Sequence, residues 1–291
     1  MNCLFVCTGN TCRSPMAAAY YNHYTKNRGG AQAASCGLRA IEGGALSAGA
    51  AAALELAGIC PEHSSRPFTA VPAAEYDVIY GMTRAHCASL AEGFPQYAEK
   101  IKAFPFDIPD PFGGNDEEYR VCLRHIICGI IIIAQKDENI AYEVIPASHS
   151  FIDEMLDIEN ACFTDPWSRD SLVTHLANED CVFLAAKDKE SGALAGFCGM
   201  RIAGGEAEIY TVTVLPGHRR RGIGRQMIGT LLELAAASQT ESIFLEVRES
   251  NAAAVALYES FGFEIYGKRK KYYKKPVENA VLMRLDLKRG V

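Results

Sequence analysis

The chain has no long uninterrupted apolar run. Its most apolar stretch, residues 121–134, is too short to span a bilayer and contains Arg124 and His125. A membrane is therefore not an expected partner. Positive charge is scarce as well: 29 Lys and Arg stand against 35 Asp and Glu, for a net charge of -6. Up to residue 135 the balance is 10 against 12, and beyond it 19 against 23. Neither half carries the basic excess of a general nucleic-acid binder, so nucleic acid is not expected either. Met1-Asn2-Cys3-Leu4-Phe5-Val6 runs directly into polar Thr8-Gly9-Asn10, without the basic flank and long apolar stretch of a signal peptide. The histidines are scattered and no Cys/His cluster has zinc spacing, so no metal is expected. Internal repeats and low-complexity tracts are absent from the sequence.

What is present reads as two ordinary globular domains. The 291 residues are about twice the commonest domain size, and 49% are apolar against 22% charged. The eleven cysteines are an odd number in a long chain. Free thiols in a reducing compartment fit that count, and the expected location is cytoplasmic.

Residues 1–135 alternate short apolar runs with helical patterns. Strands are expected at 3–6 and 77–80, and helices at 15–24, 49–57 and 83–91. This alternation argues for a parallel sheet covered on both faces. The Ile130-Ile131-Ile132-Ile133 run fits a helix or a strand equally well. The chain turns polar around Lys136-Asp137-Glu138-Asn139, so residues 136–141 are read as a linker and 142–291 as the second domain. There, a strand and two helices (148–162 and 168–178) precede strands at 181–186, 196–202 and 207–214. A helix at 222–237, a strand at 243–247, a helix at 251–261 and a strand at 279–285 complete it.

Cys7-Thr8-Gly9-Asn10-Thr11-Cys12-Arg13-Ser14 lies between the first strand and the first helix. A loop that leaves a strand and enters a helix can turn successive backbone N–H groups inward as an anion nest, with the helix N-terminus behind it. Thr8, Gly9, Asn10, Thr11, Cys12 and Ser14 are the expected phosphate-binding positions, with Gly9 allowing the tight turn. The nest favours a thiolate at Cys7, and the planar fork of Arg13 can grip two phosphoryl oxygens. Ser14 is placed to hydrogen-bond the thiolate as it leaves. A thiolate attacking phosphorus needs an acid on the far side. Asp110, between Pro109 and Pro111 in Asp107-Ile108-Pro109-Asp110-Pro111-Phe112-Gly113-Gly114, is the candidate.

These segments resemble the low-molecular-weight protein-tyrosine phosphatase family. Ser35-Cys36-Gly37, His63-Ser64-Ser65-Arg66 and residues 77–84 look like further landmarks. The resemblance implies a small parallel-sheet domain and phosphorylated protein side chains as substrates. It makes Cys7 the nucleophile, Arg13 the phosphate ligand and Asp110 the general acid. Thr11 and the Asp-Pro-Phe-Gly-Gly loop are similar to the protein-arginine phosphatase branch. Phosphoarginine is therefore favoured over phosphotyrosine, because a small polar wall suits a phosphoguanidinium better than a phosphophenyl ring. Two alternatives stay open. One is a non-catalytic phosphoresidue-binding module. The other is a thioredoxin-coupled arsenate reductase, although only Cys87 stands in the later region where that family needs two cysteines. Cys12 is either a partner for oxidised Cys7, as the resemblance implies, or a buried thiol.

In the second domain, Arg219-Arg220-Arg221-Gly222-Ile223-Gly224 follows a strand and opens a helix. Here Gly222 and Gly224 let backbone amides approach a pyrophosphate. The chain continues Leu245-Glu246-Val247-Arg248-Glu249-Ser250-Asn251, and after three alanines and a valine reaches Ala256-Leu257-Tyr258. Asn251 is a helix N-cap candidate.

This half resembles the GNAT superfamily, and within it the RimI-type ribosomal-protein-alanine N-acetyltransferases. Glu159-Asn160-Ala161-Cys162-Phe163-Thr164-Asp165-Pro166-Trp167-Ser168 and Lys270-Lys271-Tyr272-Tyr273 support the likeness. The resemblance implies a mixed, strongly twisted sheet, acetyl-CoA as cosubstrate and a ribosomal protein N-terminus as acceptor. It also implies direct acetyl transfer, with Glu246 as base and Tyr258 as acid. Val212, Thr213 and Val214 would polarise the thioester carbonyl through backbone N–H groups, while Arg219 to Gly224 and Asn251 hold the cofactor. The family's usual Asn-x-Ala-Val strand reads Thr211-Val212-Thr213-Val214 here. The basic stretch 268–275 is expected to be a loop at the acceptor site or a simple solvated hairpin.

Overall fold

The computed structural model describes residues 1–26, 31–134 and 141–287. The chain forms two compact units, Met1–Asp137 and Glu138–Val291. Apart from Ala141, the expected linker lies outside the described residues.

In the first unit every residue of β1 (Cys3–Cys7) is buried. A strand covered on both faces reads as a continuous apolar run, and β1 is interior to the sheet. Its neighbours are β2 (Ala33–Gly37) and β3 (Val78–Gly81), with β4 (Ile101–Ala103) beyond β3. All three pairings are parallel. Helix α1 (Arg13–Thr25) starts at the end of the Cys7 loop, with Pro15 in its first turn, where a missing N–H costs nothing. Ser47 caps α2 (Ala48–Leu56) and Thr83 caps α3 (Arg84–Gly93), each hydroxyl accepting a backbone N–H three residues on.

Helix α4 (Asp116–Ala134) opens with three acids that complement its dipole. The isoleucine run is its buried last turn, not a strand. Gly129 permits that burial: a Cβ there would stand 2.0 Å from Cε1 of Phe104.

The second unit is one seven-stranded sheet in the order β10-β11-β9-β8-β7-β6-β5. Its strands are β5 (Tyr142–Pro146), β6 (Cys181–Asp188), β7 (Leu194–Ala203), β8 (Glu206–Val214), β9 (Ser242–Arg248), β10 (Glu264–Lys274) and β11 (Val277–Asp286). Helices α5 (Ile152–Cys162), α6 (Arg169–Leu176), α7 (Ile223–Ala237) and α8 (Ala252–Glu259) connect them. Every pairing is antiparallel except β8 with β9.

That parallel pair is short. It joins Glu206–Ile209 to Ser242–Leu245 and stops. The cause lies on the other side of β8, where Thr211 faces Gly199 but Ile209 faces Met200, leaving Tyr210 as an extra residue. A bulge of this kind bends its strand. Beyond it, β8 follows β7 while β9 follows β11, and the sheet splits open between them. Of the two readings of the basic stretch, the structure has the hairpin: residues 268–274 belong to β10, paired irregularly with β11.

Candidate active sites

In the first unit, the Cys7 loop closes around its own sulfur. Asn10 N–H donates to Cys7 Sγ at 3.3 Å, and Ser14 Oγ lies 3.0 Å from it. The turn is made by Asn10, with φ of 55°, and not by Gly9 as the sequence suggested. A Cβ on Gly9 would sit in ordinary contact, 3.6 Å from Thr11 Oγ1. Asn tolerates the left-handed region when its side chain finds local partners. Here Nδ2 donates to Ser14 Oγ (3.0 Å) and Ser35 Oγ (2.9 Å), while Oδ1 accepts from Arg66 N. The glycine that the loop does require is Gly37 on β2, whose Cβ would meet Thr8 O at 2.6 Å and Asn10 N at 2.9 Å.

Arg13 is buried at the start of α1. It donates to Ile108 O at 3.2 Å and pairs with Asp110 Oδ2 at 2.5 Å. The sequence's nucleophile loop and acid loop are thus joined through one guanidinium. Thr11 carries the backbone carbonyl that accepts from Ser47 N. The buried Cys12 thiol lies 3.2 Å from Ser47 Oγ and 3.7 Å from Tyr119 OH.

Burial pushes Cys36 up and holds Cys122 at about 12. His86 was not singled out from the sequence. It bridges α3 to the loop, with Nε2 3.0 Å from Thr8 Oγ1.

In the second unit, the split between β8 and β9 is the candidate site. Leu215 N–H donates to Ala195 on the β7 side. Strand alternation therefore turns the N–H and C=O of Val212 and Val214 away from β7, toward the opening. Consistent with this, Val214 O accepts from Arg219 Nε at 2.9 Å. Thr213 points its side chain into the interior, where Oγ1 is among the buried atoms without a partner.

Gly222 caps α7 in the left-handed conformation, φ 84°, and no side chain occupies its amides. Gly224 serves packing, since its Cβ would stand 3.2 Å from Leu257 Cδ2 on α8. Of the three arginines before it, Arg219 is tied to Val214 O, and Arg221 Nη1 donates to Tyr142 OH at 3.1 Å. Asn251 caps α8 as expected, its Oδ1 accepting from Ala254 N at 3.2 Å.

Glu246 on β9 forms an ion pair with Arg269 Nη1 at 2.6 Å. It lines a cavity of about 350 Å³ with Arg201, Glu206, Glu208, Phe244 and Tyr266. Tyr258 on α8 is buried, and burial raises its hydroxyl well above the usual range, with Cys198 and Tyr273 adding to the effect. Tyr273 lies between the two: its OH donates to Glu246 O at 3.3 Å, and burial followed by Glu246 raises it to about 12.

Comparison with known proteins agrees with this division. Residues 152–263 match the family model "Acetyltransferase (GNAT) family", and residues 2–134 match "Low molecular weight phosphotyrosine protein phosphatase". The chain is 34% identical, over 45% of its length and 87% of the relative's, to a Bacillus subtilis protein named as a putative [ribosomal protein bS18]-alanine N-acetyltransferase. It is 36% identical to the N-alpha-acetyltransferase RimI of Mycobacterium tuberculosis, over 42% of this chain and 77% of that one. A solved arginine phosphatase from Geobacillus stearothermophilus shares 35% identity over 46% of this chain and 91% of its own, with a TM-score of 0.43.

The chain belongs to the GNAT acetyltransferases. Ahead of its GNAT domain it carries a low-molecular-weight phosphatase domain.

GNAT membership implies acetyl-CoA, and the residues present fit it. The uncapped amides of α7 and open space around Gly222 suit a pyrophosphate. The turned-out amides of Val212 and Val214 suit a carbonyl oxygen.

Proposed function

We propose that the GNAT domain acetylates the α-amine of a protein N-terminus of the ribosomal-protein-alanine type. Its phosphatase domain would remove phosphate from protein side chains, phosphoarginine ahead of phosphotyrosine. Acetyl-CoA, when bound, supplies the acetyl group as a thioester. Gly222, Ile223, Gly224 and Arg220 hold its pyrophosphate, while Arg219 and Arg221 shape the loop through Val214 O and Tyr142 OH. Asn251 sets the start of α8, and with it the position of Tyr258.

Glu246 takes the acceptor's proton, through water. The amine has an ordinary pKa of about 7.7–8.0, so a weak base is enough. Tyr258 keeps its proton at neutral pH, because burial opposes its ionisation, and holds it for the departing thiolate. The observation that carries this reading is Glu246 beside an open parallel pair, one strand turning free amides into the gap.

In the phosphatase domain, Cys7 attacks phosphorus, Arg13 binds the equatorial oxygens and Asp110 protonates the leaving atom. The carrying observation is the sulfur of Cys7 inside its own ring of donors, with Arg13 joined to Asp110. Thr11 and Asp110 offer acceptors to guanidinium N–H groups, which a phenyl ring lacks. The test is a substrate panel on the full chain: phosphoarginine and phosphotyrosine peptides with Cys7→Ser as control, and N-terminal-alanine peptides with acetyl-CoA. Phosphate release that survives Cys7→Ser removes the phosphatase half of the proposal. Faster cleavage of phosphotyrosine reverses the preference. Indifference to the N-terminal residue removes the acceptor assignment.

A further inference from the structure

His86 is buried between the phosphate loop and the cap of α3, with a threonine hydroxyl within hydrogen-bond distance of each ring nitrogen. Thr83 Oγ1 already accepts from the backbone N–H of His86 at 3.3 Å, as the helix cap. One arrangement of this pair has the Thr83 hydroxyl proton directed at His86 Nδ1, 2.7 Å away. Nδ1 then accepts and Nε2 carries the ring proton. Nε2 lies 3.0 Å from Thr8 Oγ1, so Thr8 accepts there. A hydroxyl that accepts from a fixed donor on one side has its own proton left for another acceptor. Thr8 is exposed at the mouth of the loop, one residue after Cys7.

We propose that His86, held as the Nε2–H tautomer by Thr83, is a positioning residue that aims the Thr8 hydroxyl proton at the bound phosphoryl group. The inference rests on the phosphatase reading of Cys7 and adds a side-chain donor to the backbone nest. The chain Thr83–His86–Thr8 runs in one direction, from helix cap to anion. No proton is transferred along it. The Thr83 cap and the phosphate loop are also held in register by the strands behind them, with Met82 N–H donating to Val6 O at 2.9 Å. The arrangement is electrostatically suited to a neutral imidazole. His86 lies near Arg13 as well as Asp107 and Asp110, and burial, then Arg13, disfavours its cation.

The test is a double-mutant cycle on the full chain, with Thr8→Val and His86→Phe singly and together, and His86→Gln as the conservative variant. Two readouts are used: the dissociation constant of orthovanadate by calorimetry, and kcat/KM on a phosphorylated peptide. Each single variant is expected to weaken vanadate binding about tenfold, the size of one hydrogen bond to a charged group. The double variant should lose no more than either single, and His86→Gln should recover most of the loss. Additive losses, no loss in Thr8→Val, or no recovery by Gln each overturn the proposal. If wild type binds vanadate but releases no phosphate, the turnover reading fails while the calorimetric cycle still judges His86. Should any variant unfold, which its circular dichroism would reveal, Thr83→Val supplies the second test. It must weaken vanadate binding as Thr8→Val does, with no further loss when the two are combined.

Discussion

Arg269 Nη1 lies 2.6 Å from Glu246 Oε1, so the carboxylate proposed to deprotonate the acceptor already faces a cation. Arg269 is 55% exposed and stacks over Tyr272 at 5.0 Å. An ion pair so open to water contributes only about 0.2–1 kcal/mol. An incoming ammonium group can therefore displace the guanidinium at small cost. Arg269→Ala should lower the acceptor KM by up to about fivefold, with kcat nearly unchanged. A large fall in kcat would mean that Arg269 belongs to the chemistry and is not a displaceable occupant.

Tyr258 leads to a second expectation. Its hydroxyl is buried and protonated at neutral pH, so in the resting site it can donate a proton and not accept one. Tyr258→Phe keeps the ring contact with Phe263 and removes only the hydroxyl. Turnover should fall tens-fold or more, as should that of Glu246→Gln, with the melting curve unchanged. A small thiol added to the Tyr258→Phe reaction should not restore the rate. Near-normal rates in both variants would remove the proposed acid and base.

The phosphatase loop makes a kinetic prediction at Ser14. Its single proton has two acceptors in reach, Cys7 Sγ at 3.0 Å and Cys36 O at 3.1 Å. When the cysteine leaves phosphorus as a thiolate, a hydrogen bond to the charged sulfur is worth about 1.5–3 kcal/mol. Ser14→Ala should slow the second step about 10- to 100-fold while leaving the first step faster by comparison. Stopped-flow measurement should then show a burst of leaving group that wild type lacks. A uniform slowing without a burst would place Ser14 in structure alone.

The sequence was most legible where local chemistry dictates geometry. Asn251, read as a cap candidate, caps α8 through its side chain, and Ser47, Thr83 and Ser168, not singled out beforehand, cap their helices by the same chemistry. The meeting of the Cys7 loop with the Asp110 loop, made through Arg13, was expected, because strand, loop and proline leave few alternatives for where these side chains stand. β2 and β4 escaped notice for physical reasons. Ala-Ala-Ser-Cys-Gly lacks β-branched and aromatic residues, and Ile101–Ala103 is a three-residue edge. Lys268–Lys274 left loop and hairpin open because its charge masks the strand pattern, and the pairing of β10 with β11 supplies the order. The roles of Arg219, Arg221 and His86 depend on partners far along the chain, Val214 aside, and no spacing rule encodes them.

Two groups shifted by burial, His125 in one domain and Glu159 in the other, should respond to pH with opposite signs. In the phosphatase domain, burial lowers His63, His86 and His125 below the usual histidine value. At neutral pH these groups are uncharged whether folded or unfolded. Below about 6.5 the unfolded chain takes up protons that the native domain refuses. Stability is then lost as pH falls from that point through the lowered native values.

In the GNAT domain, burial raises Glu159, although its Oε2 accepts from Trp167 N at 3.0 Å. Its Oε1 is buried without a partner. A raised carboxylate binds its proton more tightly when folded, so its contribution is complete below about 4.3 and is lost as pH rises through the native value. Urea midpoints of wild type, His125→Phe and Glu159→Gln should be compared at intervals from pH 4.5 to 8. His125→Phe should gain on wild type as pH drops below 6.5, and Glu159→Gln should gain as pH climbs. Parallel curves for either variant would show that its side chain titrates alike in both states, and would withdraw burial as the cause.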